Sequence, residues 1–434
     1  MNIPFTQVTL DNGLRVIVHE DRRLPMVAVN LWYHVGSKNE RSGRTGFAHL
    51  FEHLMFEGSK HYDRGFFHPL QEAGAALNGS TNTDRTNYWE VVPTSALDLA
   101  LWMESDRMGY LLPALTPQKF ENQRGVVLNE RRQNYDNRPY GLSTMALVAA
   151  LFPPDHPYHW LTIGAAADLE ATTFEEVRTF FQTYYHPSNA SLVVAGDVVA
   201  ADAIERVRAH FEEIPSGVRP QPVRAVASVD AERRLMLEDR VELPRLYLSW
   251  HSPAMFAPGD AEMDLLADLV ANGKVSRLYR ALVYERRLAT EVMAGQNSRE
   301  ISGFWQIIAT AAPGHTLEEL DTAISEELAR LLDEGPTESE VERGRTQAEA
   351  HFVYRLQMLG GFGGKSDQLN AYSVFLDDPA YFERDLARYQ HVTAAGLSDA
   401  ARRYLPTHRR VALSVVPQGQ SSGALRGSVP AVVP

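Results

Sequence analysis

The sequence predicts an α+β protein made of two homologous α/β halves, each a mixed, mainly antiparallel sheet with helices packed on it. Three observations predict this class. First, Leu24-Pro25-Met26-Val27-Ala28-Val29-Asn30-Leu31-Trp32 is echoed by Leu243-Pro244-Arg245-Leu246-Tyr247-Leu248-Ser249-Trp250. Each reads as a strand entered through Leu-Pro and ending near Trp. Second, Thr173-Phe174-Glu175-Glu176-Val177 leads through a helical pattern to Tyr184 and Tyr185, then to a strand from Ser191 to Ala195. Thr393 leads in the same way through Leu397 and Ala400 to Tyr404, then to a strand from Val411 to Val416. Both echoes lie at one offset of about 220 positions, the mark of a duplication. Third, short apolar strands alternate with longer amphipathic helices, and a hairpin is signalled at the start. There Gln7 to Leu10 and Leu14 to His19 flank Asp11-Asn12-Gly13, and Asn-Gly between alternating runs favours a tight turn.

Domain boundaries follow from the duplication. The join falls in Pro215-Ser216-Gly217-Val218-Arg219-Pro220-Gln221-Pro222, whose prolines and glycine suit a linker. The expected division is a first domain over 1–217, a linker over 218–225, a second homologous domain over 226–420 and a tail over 421–434. The tail is rich in Gly, Ser and Pro and is expected to be disordered.

With 434 residues the chain is too long for one ordinary core. Its 44% hydrophobic and 22% charged residues are those of a globular protein. A net charge of -13 argues against a nucleic-acid partner and against anionic membranes. No apolar run approaches the roughly 20 residues of a membrane span. There is no cysteine, which excludes disulfides and a thiol nucleophile and leaves His, Asp and Glu as metal ligands. With no signal peptide visible in the sequence, a cytoplasmic location is expected, with the periplasm as the alternative if a signal peptide has been removed.

The segment Phe47 to Met55 reads as a helix. Phe47, Leu50, Phe51, Leu54 and Met55 recur at helical spacing and form one apolar stripe. His49 and His53 fall one turn apart on the other face, with Glu52 beside them. Peptide hydrolysis asks for such a set. Zinc held by three protein ligands keeps a position for water and lowers its pKa to about 7. A second carboxylate that does not bind the metal can then carry the proton to the leaving amine. Glu52 stands in position to be that group.

These residues resemble the pitrilysin and insulysin family of inverted-motif (HxxEH) zinc peptidases, in the short-chain branch that includes the mitochondrial processing peptidase. The motif here is His49-Leu50-Phe51-Glu52-His53. The resemblance implies a zinc metalloendopeptidase with Zn2+ as cofactor, Glu52 as catalytic base, and a third ligand on a separate helix. The matching residue is Glu130, in Val126-Val127-Leu128-Asn129-Glu130-Arg131-Arg132, on a helix that starts at Thr116-Pro117. It also implies that Asn78 and Gly79 touch the substrate backbone. They open Asn78-Gly79-Ser80-Thr81-Asn82, a polar alternating run that suits an exposed edge strand able to pair with an extended peptide. His156-Pro157-Tyr158 and Asn137-Arg138-Pro139-Tyr140-Gly141 resemble structural segments of the family.

Three positions depart from the family pattern. Many active relatives carry a second Glu seven residues before the third ligand, where this chain has Gln123. Two helical turns from Glu130, Gln123 shares its face and is expected to orient a ligand. Relatives also carry an Arg and a Tyr in the second half that hold substrate and its developing oxyanion. Here Val283 and Thr290 occupy those places. The departures suit the zinc-binding subunit of a bacterial heterodimer, whose homologous partner lacks HxxEH and keeps the Arg/Tyr pair. The alternatives are a self-sufficient homodimeric peptidase and a catalytically silent peptide-binding or scaffold homologue. Gly360-Gly361-Phe362-Gly363-Gly364-Lys365 lacks the spacing of a phosphate-binding loop and is read as a flexible loop.

Overall fold

The computed structural model describes residues 2–434. The chain folds into two compact units. The first comprises 1–129, 161–223 and 351–384; the second comprises 130–160, 224–350 and 385–434. Each is thus built mainly from one half of the chain and takes one segment from the other.

The first unit is centred on a six-stranded sheet. Its strands are β1 (Thr6–Thr9), β2 (Arg15–Glu20), β3 (Met26–Tyr33), β4 (Ala76–Thr81), β5 (Thr86–Pro93) and β6 (Ala190–Gly196). They lie in the order β1-β2-β6-β3-β5-β4. Only β2 and β6 run parallel; the other neighbours are antiparallel. The hairpin between β1 and β2 closes at Gly13, which has φ +89° and donates to the Leu10 carbonyl at 2.9 Å. The Asn12 amide anchors that turn on the Phe211 carbonyl at 2.7 Å.

The second unit repeats the plan. Its strands are β7 (Arg233–Asp239), β8 (Arg245–Ser252), β9 (Ala289–Asn297), β10 (Gly303–Ala311), β11 (Val411–Pro417) and β12 (Val429–Pro430). They lie in the order β12-β7-β11-β8-β10-β9. β7 pairs in parallel with β11, as β2 does with β6, and β11, β8, β10 and β9 are successively antiparallel. Five strands of each sheet therefore share one topology, as the sequence echoes predict; the sixth differs, since β1 joins β2 antiparallel from ahead of it in the chain, whereas β12 joins β7 in parallel from later in the chain. Residues 215–230 between them carry no helix or strand. The last residues differ from the disorder expected of them: Leu425 is buried, and β12 adds beside β7, where Ala431 donates to the Met236 carbonyl at 2.8 Å. Edge pairing and one buried leucine order a stretch whose composition alone suggests none.

The segment 351–384 brings the helix Lys365–Leu376 onto β3 and β6 of the first unit. Its chemistry explains a polar residue in an otherwise apolar strand. Asn30 of β3 is fully buried and donates to Ser366 and Asp367, while Asn370 donates to the Asn30 carbonyl at 2.8 Å. Asp367 also accepts from Trp32 Nε1 at 2.9 Å and Asn87 at 3.2 Å. The glycine run before this helix lies close on the sheet. A Cβ at Gly360 would meet Val91 and Ala28 at 2.6 and 2.7 Å. Lys365 is buried and donates to Asp21 at 2.6 Å. Hydrogen bonding from Arg23, then Lys365, holds the Asp21 carboxyl below the usual range. Where the sequence suggests a flexible loop, close packing and this ion pair hold the run on the strands.

Behind β5 lies a buried charged group. Arg107 donates to Glu104 at 2.8 Å, and its guanidinium stands 3.7 Å from the Phe66 ring centroid and 4.0 Å from that of Tyr88. Burial, then the neighbouring Glu104, pushes the Glu90 carboxyl well above the usual carboxylate range. One cation thus stands among two buried carboxyl groups. Removing Arg107 leaves Glu104 buried without its partner, and breaking a buried pair in this way typically costs about 3–5 kcal/mol. Arg107→Met is expected to lose stability of that order in urea unfolding. A midpoint within error of the unmodified chain would overturn this account of the group.

Candidate metal centre

The motif helix spans Phe47–Leu54. Phe47, Leu50, Phe51, Leu54 and the following Met55 are buried, whereas His49, Glu52 and His53 are half-buried. The apolar stripe therefore sinks into the first unit, where Phe51 packs on Phe180, Phe181 and Tyr185. That packing fixes which face carries the polar residues.

The start of this helix is held without a capping side chain of its own, because the cap position is Gly46. Glu40 takes the role from outside: its carboxylate accepts from Gly46 N and Ala48 N, both at 2.9 Å. A carboxylate there meets two of the unpaired N–H groups and the positive end of the helix dipole. Asp168 fixes the preceding residue, accepting from the Thr45 amide at 3.1 Å and hydroxyl at 2.7 Å. Gly46 has φ +91° and Gly164 φ +74°. A Cβ on Gly164 would lie 2.6 Å from Gly46 Cα. Two glycine backbones in contact thus set the depth at which the helix enters.

Glu130 comes from the helix Pro117–Arg131, which starts as expected, with Lys119 N donating to Thr116 Oγ1 at 3.2 Å. Among the described residues, His49, His53 and Glu130 form the one group of three or more ligating side chains placed to hold a metal ion. One ligand atom from each lies within 4.8 Å of the others. The two imidazoles stand nearly perpendicular with their Nε2 atoms 3.3 Å apart. A tetrahedral zinc with bonds of about 2.0–2.1 Å holds its donors roughly 3.3 Å apart, so this pair fits that ion. Burial, then His53, lowers the pKa of His49 to about 4. The ring is therefore neutral near pH 7, the form that ligates a metal.

Gln123 stands beside the trio. Its Oε1 lies 3.3 Å from His53 Nδ1, and its Nε2 donates to Glu57 Oε1 at 2.5 Å. Glu121, two positions earlier, is exposed and pairs with Arg124. β4 is the edge strand of the sheet and lies against the motif helix. Asn78 is exposed on it. Gly79 is buried, and a Cβ there would stand 3.0 Å from both Phe56 Cζ and Tyr88 Cδ1. In the second unit Val283 packs on the apolar core and Thr290 lies exposed on β9, so neither offers a charge or a phenol. A cavity of about 570 Å³, lined in part by Glu40, Phe47, Phe180 and Tyr184, includes none of the trio.

The structure brings together His49, His53 and Glu130, which the sequence singles out, and sets Gln123 beside His53; the sequence does not single out Glu40, Asp168 or Glu57. No fixed spacing marks these three. Gly46 immediately before the helix was the available signal, since a glycine cap leaves amides for another side chain to satisfy.

Comparison with known proteins places the chain. Residues 15–156 match the family described as Insulinase (Peptidase family M16), and 171–348 match the Peptidase M16 inactive domain. The chain is 30% identical to the zinc protease PqqE of Helicobacter pylori, over 82% of this chain and 81% of that protein. It is 24% identical to the probable mitochondrial-processing peptidase subunit beta of Arabidopsis thaliana, over 82% of this chain and 68% of that one. A crystal structure of a protease from Helicobacter pylori superposes with a TM-score of 0.88 at 27% identity, covering 96% of this chain and all of that one. A duplicated two-sheet fold with an inverted His-x-x-Glu-His helix defines a zinc peptidase fold. The chain belongs to peptidase family M16, whose cofactor is zinc. No helix among the described residues is long and apolar enough to cross a membrane.

The seat of the motif helix yields a test. Gly164→Ala adds an unfavourable backbone conformation and a clash with Gly46, whereas Gly43→Ala, at φ +78° with nothing within 4 Å, adds the first alone. Left-handed strain costs an alanine about 1–2 kcal/mol, and overpacking adds about 1–3 kcal/mol. Gly164→Ala should therefore unfold at clearly lower urea than Gly43→Ala. Equal midpoints would show that the two glycines are not pressed together.

Proposed function

We propose that this chain is the zinc-binding subunit of a metalloendopeptidase that cleaves unfolded peptides. The observation that carries the reading is the convergence of His49, His53 and Glu130 within 4.8 Å, with Glu52 on the same helix as the two histidines. In this reading those three residues hold Zn2+. When bound, zinc acts as a Lewis acid and brings the pKa of a bound water to about 7. Glu52 takes the proton of the attacking water and delivers it to the leaving amine. The open edge of β4, with Asn78 exposed and the Gly79 main chain beside it, pairs with an extended peptide. Gln123 orients His53. Residues 1–217 carry this site, and 226–420 supply a homologous domain without a zinc motif.

The site is read as incomplete on its own. As the peptide carbonyl is attacked, charge builds on its oxygen, and one positioned donor to such an oxygen is worth about 10²–10³ in rate. Val283 has no donor, and the Thr290 hydroxyl is directed at the Thr310 carbonyl at 3.4 Å. A homologous partner without HxxEH, bearing an Arg and a Tyr, supplies both and encloses the substrate with this chain. That a relative is named a subunit supports a paired assembly. A second reading, a silent homologue, draws on the inactive-domain description matched by 171–348; that stretch lies outside the motif.

Two outcomes are expected of the chain itself. Purified chain should hold about one zinc, as a single three-ligand site implies, and His49→Ala or His53→Ala should lose most of it by elemental analysis. Glu52→Gln should keep the zinc and lose about 10²–10⁴-fold in cleavage of a quenched peptide. Full zinc in either histidine variant would sink the ligand assignment, and near-normal cleavage by Glu52→Gln would sink the role of that residue.

The partner is tested by mixing. Adding a homologue that reads Ala-Leu-Arg, with a Tyr seven residues after that Arg, should raise activity at least about tenfold, a cautious fraction of the donor effect. Turnover by this chain alone as fast as by the mixture would replace the split site with a self-sufficient homodimer.

A further inference from the structure

A primary amide differs from a carboxylate in having a direction. Its oxygen only accepts and its nitrogen only donates. Gln123 sits between two groups that can read this direction. Its Nε2 donates to Glu57 Oε1 at 2.5 Å, and its Oε1 faces His53 Nδ1 at 3.3 Å. A carboxylate can only accept, so Glu57 commands the nitrogen end. The oxygen is then left for His53, and an accepting oxygen calls for a proton on Nδ1. A neutral imidazole has one N–H, so Nε2 keeps its lone pair. That atom stands 3.3 Å from His49 Nε2, where the ligand atoms gather.

The chain trace makes the arrangement compact. Glu57 lies four residues beyond His53, and the backbone between them turns through Phe56 N to the His53 carbonyl at 3.0 Å and Glu57 N to the Leu54 carbonyl at 3.1 Å. One short segment thus presents both the imidazole and the carboxylate to a single side chain on the helix Pro117–Arg131.

We propose that Glu57 is a positioning residue, which acts through Gln123 to lock His53 in the Nδ1–H tautomer that presents Nε2 to the metal. The proposal rests on the reading of His53 as a zinc ligand. Without Glu57 the amide can turn over, offer its NH2 to Nδ1 and favour the tautomer whose Nε2 is already protonated. A glutamate at 123 would need no such control, because either oxygen accepts from Nδ1–H. Beside Glu57 at the present 2.5 Å contact, however, it would set two carboxylates against each other.

The experiment combines two measurements. Histidine-labelled metal-free protein is examined by long-range ¹H–¹⁵N NMR, with His53 assigned through His53→Gln, and zinc affinity is measured by competition with a chelator. The unmodified chain should show His53 as Nδ1–H. Glu57→Ala should lose that signature and bind zinc about 10–100-fold more weakly, the usual cost of losing a group that orients a ligand. Gln123→Glu alone should also weaken binding, yet the same change added to Glu57→Ala should restore affinity to within about threefold and recover the tautomer. Glu57→Gln, which keeps size and an accepting oxygen, should lose less than Glu57→Ala. A purely structural role for Glu57 would not be rescued at position 123. A double variant as weak as Glu57→Ala, or Nε2–H on His53 in the unmodified chain, overturns the proposal. Failure of the unmodified chain to bind zinc would instead defeat the ligand reading; the tautomer in metal-free protein judges the relay separately.

Discussion

The arrangement depends on one short helix being pinned on three sides. Its apolar stripe is buried against Phe180, Phe181 and Tyr185; its N-terminal amides are taken by Glu40; and its entry is fixed where Gly46 meets Gly164. An eight-residue helix has little stability of its own in water. Burial and the outside cap supply what length does not. Because the stripe faces inward, the histidines at i and i+4 face outward without further design, and a metal site needs only one more carboxylate from a second helix.

The duplicated half shows what happens when that division of faces is absent. The helix Asp260–Ala271 follows β8 as the motif helix follows β3. Its Leu265, Leu266, Leu269 and Val270 are buried, and it carries no histidine. Two of its acidic residues are spent on structure: Asp260 accepts from Ser298 at 2.5 Å, Gln296 at 2.6 Å and Arg388 at 2.7 Å, and Asp264 from Tyr389 at 2.7 Å. The same topology therefore hosts a helix committed to its own core in one half and a helix with an open polar face in the other.

Much of this was legible in the sequence because it depends on local periodicity. The stripe from Phe47 to Met55, the Asn12-Gly13 turn and the Thr116-Pro117 helix start all follow from neighbours within a few residues, and the offset between β3 and β8 shows as two such local patterns repeated. The rest depends on contacts across long separations. The segment 351–384 joins the first unit through Asn30, Asp367 and the Lys365–Asp21 pair, and residues some 340 apart leave no pattern that periodicity can detect. Glu40 escaped for a related reason: a cap from outside the helix has no fixed spacing. The tail misled because edge pairing needs little apolar content. Its Gly and Ser residues hide one buried leucine and two strand positions.

The difference between an amide and a carboxylate at position 123 shows how one substitution acquires meaning from another. Read alone, glutamine in place of glutamate is a loss of charge near a cationic metal. With Glu57 in contact at 2.5 Å, the relay proposed above keeps the charge but moves it one side chain outward from His53. The arrangement makes the pair, rather than either residue, the unit on which the ligand's orientation depends.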